Sequence, residues 1–160
     1  MLMKETLIEE LSKHMDFIPL LAEWHFTQWG DLTGALTESD YRSLLSNQES
    51  AQKLPLTLVA LDHGRLLGSV NIVPCDLDIR PELTPWLAQL YVHPPERGRG
   101  FGLTPVHAAA TRSRELGFDY LYLYTSGTLP SFYERAGWVA KERVHYKGKE
   151  RTIMEIRLSG

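Results

Sequence analysis

Apolar and polar positions along this 160-residue chain fall into blocks whose spacing changes several times. Thr6 to Ser12 reads as an edge strand. Between His14 and Trp29 the residues Phe17, Leu20, Leu21, Trp24 and Phe26 recur at helical spacing, and Gly30 ends the pattern. Thr37-Glu38-Ser39-Asp40 has the make-up of a helix N-terminus. It opens a second helix running to about Lys53, with Tyr41, Leu44 and Leu45 on its buried face.

After Leu54 the spacing shortens. Leu56 to Leu61 and Leu66 to Val73 are β-rich runs joined by Asp62-His63-Gly64-Arg65, a hairpin turn. The Pro- and Asp-rich stretch from Pro74 to Pro85 reads as a loop. Trp86 to Val92 is a strand, stopped by His93-Pro94-Pro95 because proline cannot continue a central ladder. Helical spacing returns from Gly102 to Leu116, with Leu103, Val106, Ala110 and Ser113 on one face and Gly117 as C-cap. Asp119 to Thr125 is a fifth strand, and Leu129 to Ala136 a short helix ending at Gly137. Trp138 to Tyr146 and Arg151 to Leu158 form a closing hairpin around Lys147-Gly148-Lys149. Two helices, a meander, then strand–helix–strand–helix–hairpin predict one α/β domain with a mixed sheet, spanning residues 1–160.

Composition narrows the class. Hydrophobic residues make up 43% and charged residues 23%, as in ordinary globular chains. Seventeen basic against 20 acidic residues leave a net charge of −3, with no general drive toward nucleic acid or anionic membrane. Cys75 is the single cysteine, so no intramolecular disulfide forms and a thiolate metal cluster is not expected. The first residues carry Lys4, Glu5, Glu9 and Glu10 and do not resemble a signal peptide. No apolar run approaches the roughly 18 residues of a membrane span. A cytoplasmic location is the default expectation.

The candidate chemistry lies after the fourth strand. Gly98, Gly100 and Gly102 alternate between a strand and a helix, and Arg97 and Arg99 stand among them. Glycine lets the backbone approach a ligand closely, and a helix N-terminus offers unpaired N–H groups beside the positive end of its dipole. Two guanidinium groups add full charge, so the loop suits a phosphate or diphosphate. It is neither a P-loop, having no Gly-Lys-Ser/Thr, nor a complete dinucleotide fingerprint, since Pro105 stands where the last glycine belongs.

These features resemble the GCN5-related N-acetyltransferase (GNAT) superfamily over residues 6–158. Arg97-x-x-Gly100-x-Gly102 matches its acetyl-CoA signature, and Leu90-Tyr91-Val92-His93-Pro94 occupies its fourth strand. Phe132-Tyr133-Glu134-Arg135-Ala136-Gly137-Trp138 is similar to a block near its C-terminus. The resemblance implies a mixed, mostly antiparallel sheet of about six or seven strands with flanking helices, splayed between the fourth and fifth. It implies acetyl-CoA as cofactor. The loop from Arg97 through Gly98, Arg99, Gly100 and Gly102 to Leu103 would hold the diphosphate. Leu90 and Val92 would hold the acetyl carbonyl and pantetheine arm through backbone groups. Thr125 and Ser126 would border the gap, with Leu129 and Phe132 packing beside the cofactor.

By the same resemblance Tyr133 is the catalytic acid. A thiolate with a pKa of about 8–9 can take a proton from a phenol, and oriented N–H groups stabilise a developing oxyanion. Trp86 stands where several family members carry a glutamate base. His93, His25, Glu134 and the fifth-strand tyrosines acting through water are the alternatives, and the sequence chooses none of them.

The acceptor is implied to be a primary amine of a small molecule or a peptide, attacking directly in a ternary complex. Trp24 and Trp29 are the candidate acceptor contacts, with His25, Asp31, Asp76 and Asp78 nearby, since aromatics and carboxylates suit a cationic amine. A non-catalytic acyl-CoA sensor is the alternative. The terminal hairpin could pair two subunits into a homodimer.

Overall fold

The computed structural model describes residues 6–33, 36–46, 54–97, 102–126 and 130–158, with the side chains of 31–33 outside that set. Seven strands form one sheet in the order β1-β2-β3-β4-β5-β7-β6. They are β1 (Thr6–Glu10), β2 (Leu56–Asp62), β3 (Arg65–Val73), β4 (Trp86–Val92), β5 (Tyr120–Thr125), β6 (Val139–Tyr146) and β7 (Lys149–Arg157). The helices are α1 (Ile18–Thr33), α2 (Glu38–Ser46), α3 (Leu103–Glu115) and α4 (Pro130–Glu134). All neighbouring strands run antiparallel except β4 and β5.

Local chemistry sets the turns. His63 and Gly64 both take positive φ, 51° and 80°, the two-residue turn whose twist matches the flanking strands. Lys147 and Gly148 repeat it between β6 and β7, so Lys149 belongs to the strand rather than to the turn. The N-terminus of α2 is a reciprocal cap. Asp40 N donates to Thr37 Oγ1 at 3.1 Å, and Thr37 N donates to Asp40 Oδ2 at 2.8 Å.

The first helix corrects the sequence expectation. It starts at Ile18, after two short 3-10 turns, and continues through Gly30 to Thr33. A Cβ on Gly30 would lie 3.0 Å from the Phe26 ring, so this glycine accommodates an aromatic one turn back instead of ending the helix. Its buried face is Ile18, Leu21, Ala22 and His25, while Leu20 and Phe26 face outward. Leu44 of α2 is likewise exposed, and only Tyr41 and Leu45 of that helix are buried. The last stretch of the expected second helix, 47–53, lies outside the described residues.

The sheet carries a separate core on each face. Toward α3, Leu56, Leu58, Val70, Ile72, Leu121 and Met154 pack against Val106, Ala109 and Trp138. On the other face, α1 and α2 cover Val59, Leu61 and Leu66 at one end. The 74–85 loop covers Trp86 and Ile153 at the other, through Leu77 and Leu83. Paired Arg80 nitrogens donate to both Glu142 oxygens, at 2.9 and 2.8 Å, tying this loop to β6. Among the described residues no helix is long and apolar enough to cross a membrane.

Candidate active site

The middle of the sheet opens. Trp86↔Tyr122 is the only register pair between β4 and β5 among the described residues, and beyond it the strands share no ladder. Strand β4 is itself irregular. Gln89 has φ 53°, and the β3–β4 register shifts between Ser69 and Asn71. A bulge at Gln89 therefore re-aims Leu90 to Val92 away from regular pairing. Gly68 permits this, because a Cβ there would lie closer than 3.0 Å to the Tyr91 carbonyl oxygen.

A cleft of about 730 Å³ lies at this opening. Leu90, Tyr91, Val92 and Arg97 form one wall, and Gly102, Phe132, Tyr133 and Arg135 form the other. Gln28 and Trp29 of α1 and Gln89 of β4 complete the lining. The structure thus brings together most of the described candidate residues: Leu90, Val92, Arg97, Gly102, Phe132, Tyr133 and Trp29. Leu103 and Ser126 are half-buried outside this lining. Gly98, Arg99, Gly100 and Leu129 lie outside the described residues, as does the Asp31 side chain.

Tyr133 is placed by the end of its own helix. Gly137, at φ 96°, lets the chain reverse, so that Gly137 N donates to Glu134 O at 3.1 Å and Trp138 N to Tyr133 O at 3.3 Å. This paired closure is the Schellman pattern, and its usual apolar contact is supplied by the Tyr133 and Trp138 rings, 6.1 Å apart. Phe132 meets Tyr133 edge-on at 5.0 Å. Burial pushes the Tyr133 hydroxyl above the usual phenol range, so it keeps its proton at neutral pH.

Arg97 turns back on the fold. Its Nε donates to Val92 O at 2.7 Å, its Nη2 donates to Gln28 Oε1 at 3.0 Å, and the guanidinium lies 5.5 Å from the Tyr91 ring centre. It ties α1 to the end of β4. Trp24 lies outside the cleft lining, flat against His93 at 4.2 Å and against Tyr91 at 5.5 Å.

The candidate bases are differently placed. His25 is 1% exposed, with Nε2 3.0 Å from Ser69 Oγ, and burial lowers its pKa to about 4. His93 is fixed against Trp24, and its Nδ1 is buried without a hydrogen-bond partner. Glu134 is exposed at the end of α4, outside the cleft lining. Burial raises both Tyr122 and Tyr124, the latter also through the Asp76 carboxylate, so both stay protonated. Trp86 is fully buried, with Nε1 donating to Leu83 O at 2.6 Å. It is a core residue. Asp76, half-buried, is raised to about 7 by desolvation, against the lowering effect of the Lys147 ammonium. Asp78 is exposed. Among the described residues no cluster of His, Cys, Asp or Glu could hold a metal ion.

The sequence reading missed Gln89 and its two partners. Asn71 Nδ2 donates to Gln89 Oε1, and Thr57 Oγ1 donates to Asn71 Oδ1 at 2.8 Å, a polar row across three adjacent strands. Polar residues within the apolar runs of β2 and β3 were the available signal.

Residues 18–138 match the family model described as the acetyltransferase (GNAT) family. The chain belongs to that family. As a GNAT chain it is also similar in fold to solved structures of low identity. One is an aminoglycoside 6'-N-acetyltransferase complexed with coenzyme A, at 14% identity and TM-score 0.75, covering 96% of this chain and 98% of that one. Another is a spermidine N-acetyltransferase chimera from Vibrio cholerae and hSSAT, at 16% identity and TM-score 0.74, covering 96% of each chain. A third is a Salmonella typhimurium protein with its cofactor acetyl-CoA, at 18% identity and TM-score 0.74, covering 97% and 95%. Comparison with the curated proteins gives no match. The seven-stranded, mostly antiparallel sheet with a single parallel pair is the architecture expected of a GNAT acetyltransferase.

Proposed function

We propose that this chain acts as one N-acetyltransferase domain that transfers the acetyl group of acetyl-CoA to a primary amine of a small molecule or peptide. The observation that carries the proposal is the cleft beside the β4–β5 opening, which gathers Tyr133 with Leu90, Val92, Arg97, Gly102 and Phe132 within one space. The cleft fits the cofactor in three respects. Its volume lies within the range of small-molecule sites, roughly 300–1,000 Å³. Gly102 leaves room in front of Phe132, whose ring would stand 3.1 Å from a Cβ there. Its charged lining residues, Arg97 and Arg135, are both cationic and suit a phosphate-bearing ligand.

When bound, acetyl-CoA supplies an activated acyl thioester. The β5-facing edge of Leu90 and Val92, outside any ladder with β5, would hold it through backbone groups. Arg97, Gly98, Arg99, Gly100, Gly102 and Leu103 would hold its phosphates, and Ser126, Leu129 and Phe132 would pack beside it. Tyr133 Oη, kept protonated by burial, would give its proton to the departing thiolate, and the proton shed by the attacking amine would restore it. Trp29 on the lining, backed by Trp24 through Tyr91, forms the acceptor wall. The solved relatives named for aminoglycoside and spermidine N-acetylation use amine acceptors, which supports the amine class.

An amine panel incubated with acetyl-CoA, read by thiol release and by mass of the product, tests this. Acetylation of any primary amine well above hydrolysis is the expected result. Tight acetyl-CoA binding with no amine acetylated would sink the enzyme reading in favour of a sensor.

A further inference from the structure

A second space of about 260 Å³ adjoins the cleft, and Gln89 borders both. Its walls come from α1, α2 and strands β2 and β3, including His25, Tyr41, Leu45, Thr57 and Asn71. Its size is that of about nine waters at ~30 Å³ each, room for a short organic group and little more.

Its charge decides what can enter. None of its described lining residues is a carboxylate, lysine or arginine. Its one ionisable imidazole, His25, is buried and bonded to Ser69. The charged residues of the adjoining cleft, Arg97 and Arg135, are cationic. An ammonium group pushed into this space would shed water and meet no counter-charge among its described lining residues. The space is not purely apolar, however. The row from Thr57 through Asn71 ends at Gln89, whose Oε1 is taken by Asn71, leaving the Gln89 N–H₂ group as donor at the junction.

We infer that this chamber is the acceptor subsite, and that it takes the non-reacting end of a small monoamine: an uncharged group bearing a hydrogen-bond acceptor that meets Gln89. Polycationic amines are excluded. The inference rests on the acetyl-transfer reading of the neighbouring cleft and names the substrate class within it.

The test pairs two near-isosteric amines, 4-aminobutanamide and 1,4-diaminobutane, which differ in whether the far end is an amide or an ammonium. Calorimetric binding to the CoA-saturated and the free protein is measured alongside acetyl transfer. The amide should bind at least tenfold more tightly than the diamine in the wild type. Gln89→Glu, at an exposed position, and Asn71→Asp should each abolish or reverse that preference by supplying a carboxylate. A diamine that binds equally or better, no binding of either amine, or a preference unmoved in a folded Gln89→Glu protein would overturn the inference. Preferential amide binding without any acetyl transfer would support the chamber assignment and count against the transferase reading instead.

Discussion

Gly68→Ala tests the geometry on which the cleft depends. Gly68 sits on β3 opposite Val92, beside the β4 bulge. An added Cβ would lie closer than 3.0 Å to Tyr91 O and 3.3 Å from Tyr91 C and Val92 Cα. All three are backbone atoms, so no rotamer change relieves the clash and the strands must separate. Overpacking of this kind costs about 1–3 kcal/mol. The adjacent bond from His93 N to Leu67 O, 2.8 Å long, would weaken at a cost of about 1 kcal/mol. The usual gain from replacing a strand glycine offsets up to about 1 kcal/mol. The net loss is about 1–3 kcal/mol. For a chain of this length that lowers Tm by roughly 2–12 °C, since each kcal/mol is worth about 2–4 °C. Thermal unfolding followed by circular dichroism gives the Tm, and a CoA titration should show weaker binding because Tyr91 and Val92 line the cleft. A Tm within about 1 °C of wild type, with unchanged CoA affinity, would refute the close-approach account of the bulge.

Four further outcomes are expected. Gly102→Val crowds Phe132 and should weaken CoA binding roughly tenfold, about 1.4 kcal/mol, with little change in Tm; equal affinity would show that this position does not shape the cleft. Thr37→Ala removes the α2 cap and should cost about 1 kcal/mol in urea unfolding, against no change if the cap is idle. His25 is lowered from 6.5 to about 4 by burial, so between those values the unfolded chain binds a proton that the folded one does not. Its contribution, about 3 kcal/mol, is present above pH 6.5 and lost as pH falls toward 4. Asp76, raised from 3.8 to about 7, opposes this, because its destabilising effect is absent below pH 3.8 and complete above 7. Asp76→Asn should therefore steepen the loss of stability between pH 7 and 5, and His25→Asn should flatten or reverse it; parallel curves for all three proteins would contradict both assignments.

Much of the fold could be read from local chemistry. The His63-Gly64 turn, the Thr37/Asp40 cap and the reversal at Gly137 follow from short-range preferences that tertiary context does not override. The Phe132–Trp138 block was legible only through its resemblance to the family, although in the structure one glycine and one aromatic contact place Tyr133. Periodicity failed where a residue serves two surfaces. Leu20 and Phe26 keep helical spacing yet face outward, while His25, polar by type, is buried. The bulge at Gln89 has no sequence mark of its own, because a non-glycine residue at φ 53° is held there by the neighbouring strand. The row Thr57–Asn71–Gln89 depends on register across three strands, which no single segment encodes. Arg97 carries a charge that suits phosphate, but its observed contacts to Val92 and Gln28 come from tertiary proximity.

We propose that acetyl transfer takes place in this cleft with Tyr133 Oη as proton donor. The most direct measurement compares kcat for the best acceptor amine, and the Kd for acetyl-CoA, between wild type and Tyr133→Phe. Loss of the hydroxyl should lower kcat about 10²–10⁴-fold while acetyl-CoA binding stays unchanged, as expected for a group that acts only in proton transfer. A Tyr133→Phe protein with wild-type kcat would contradict the account.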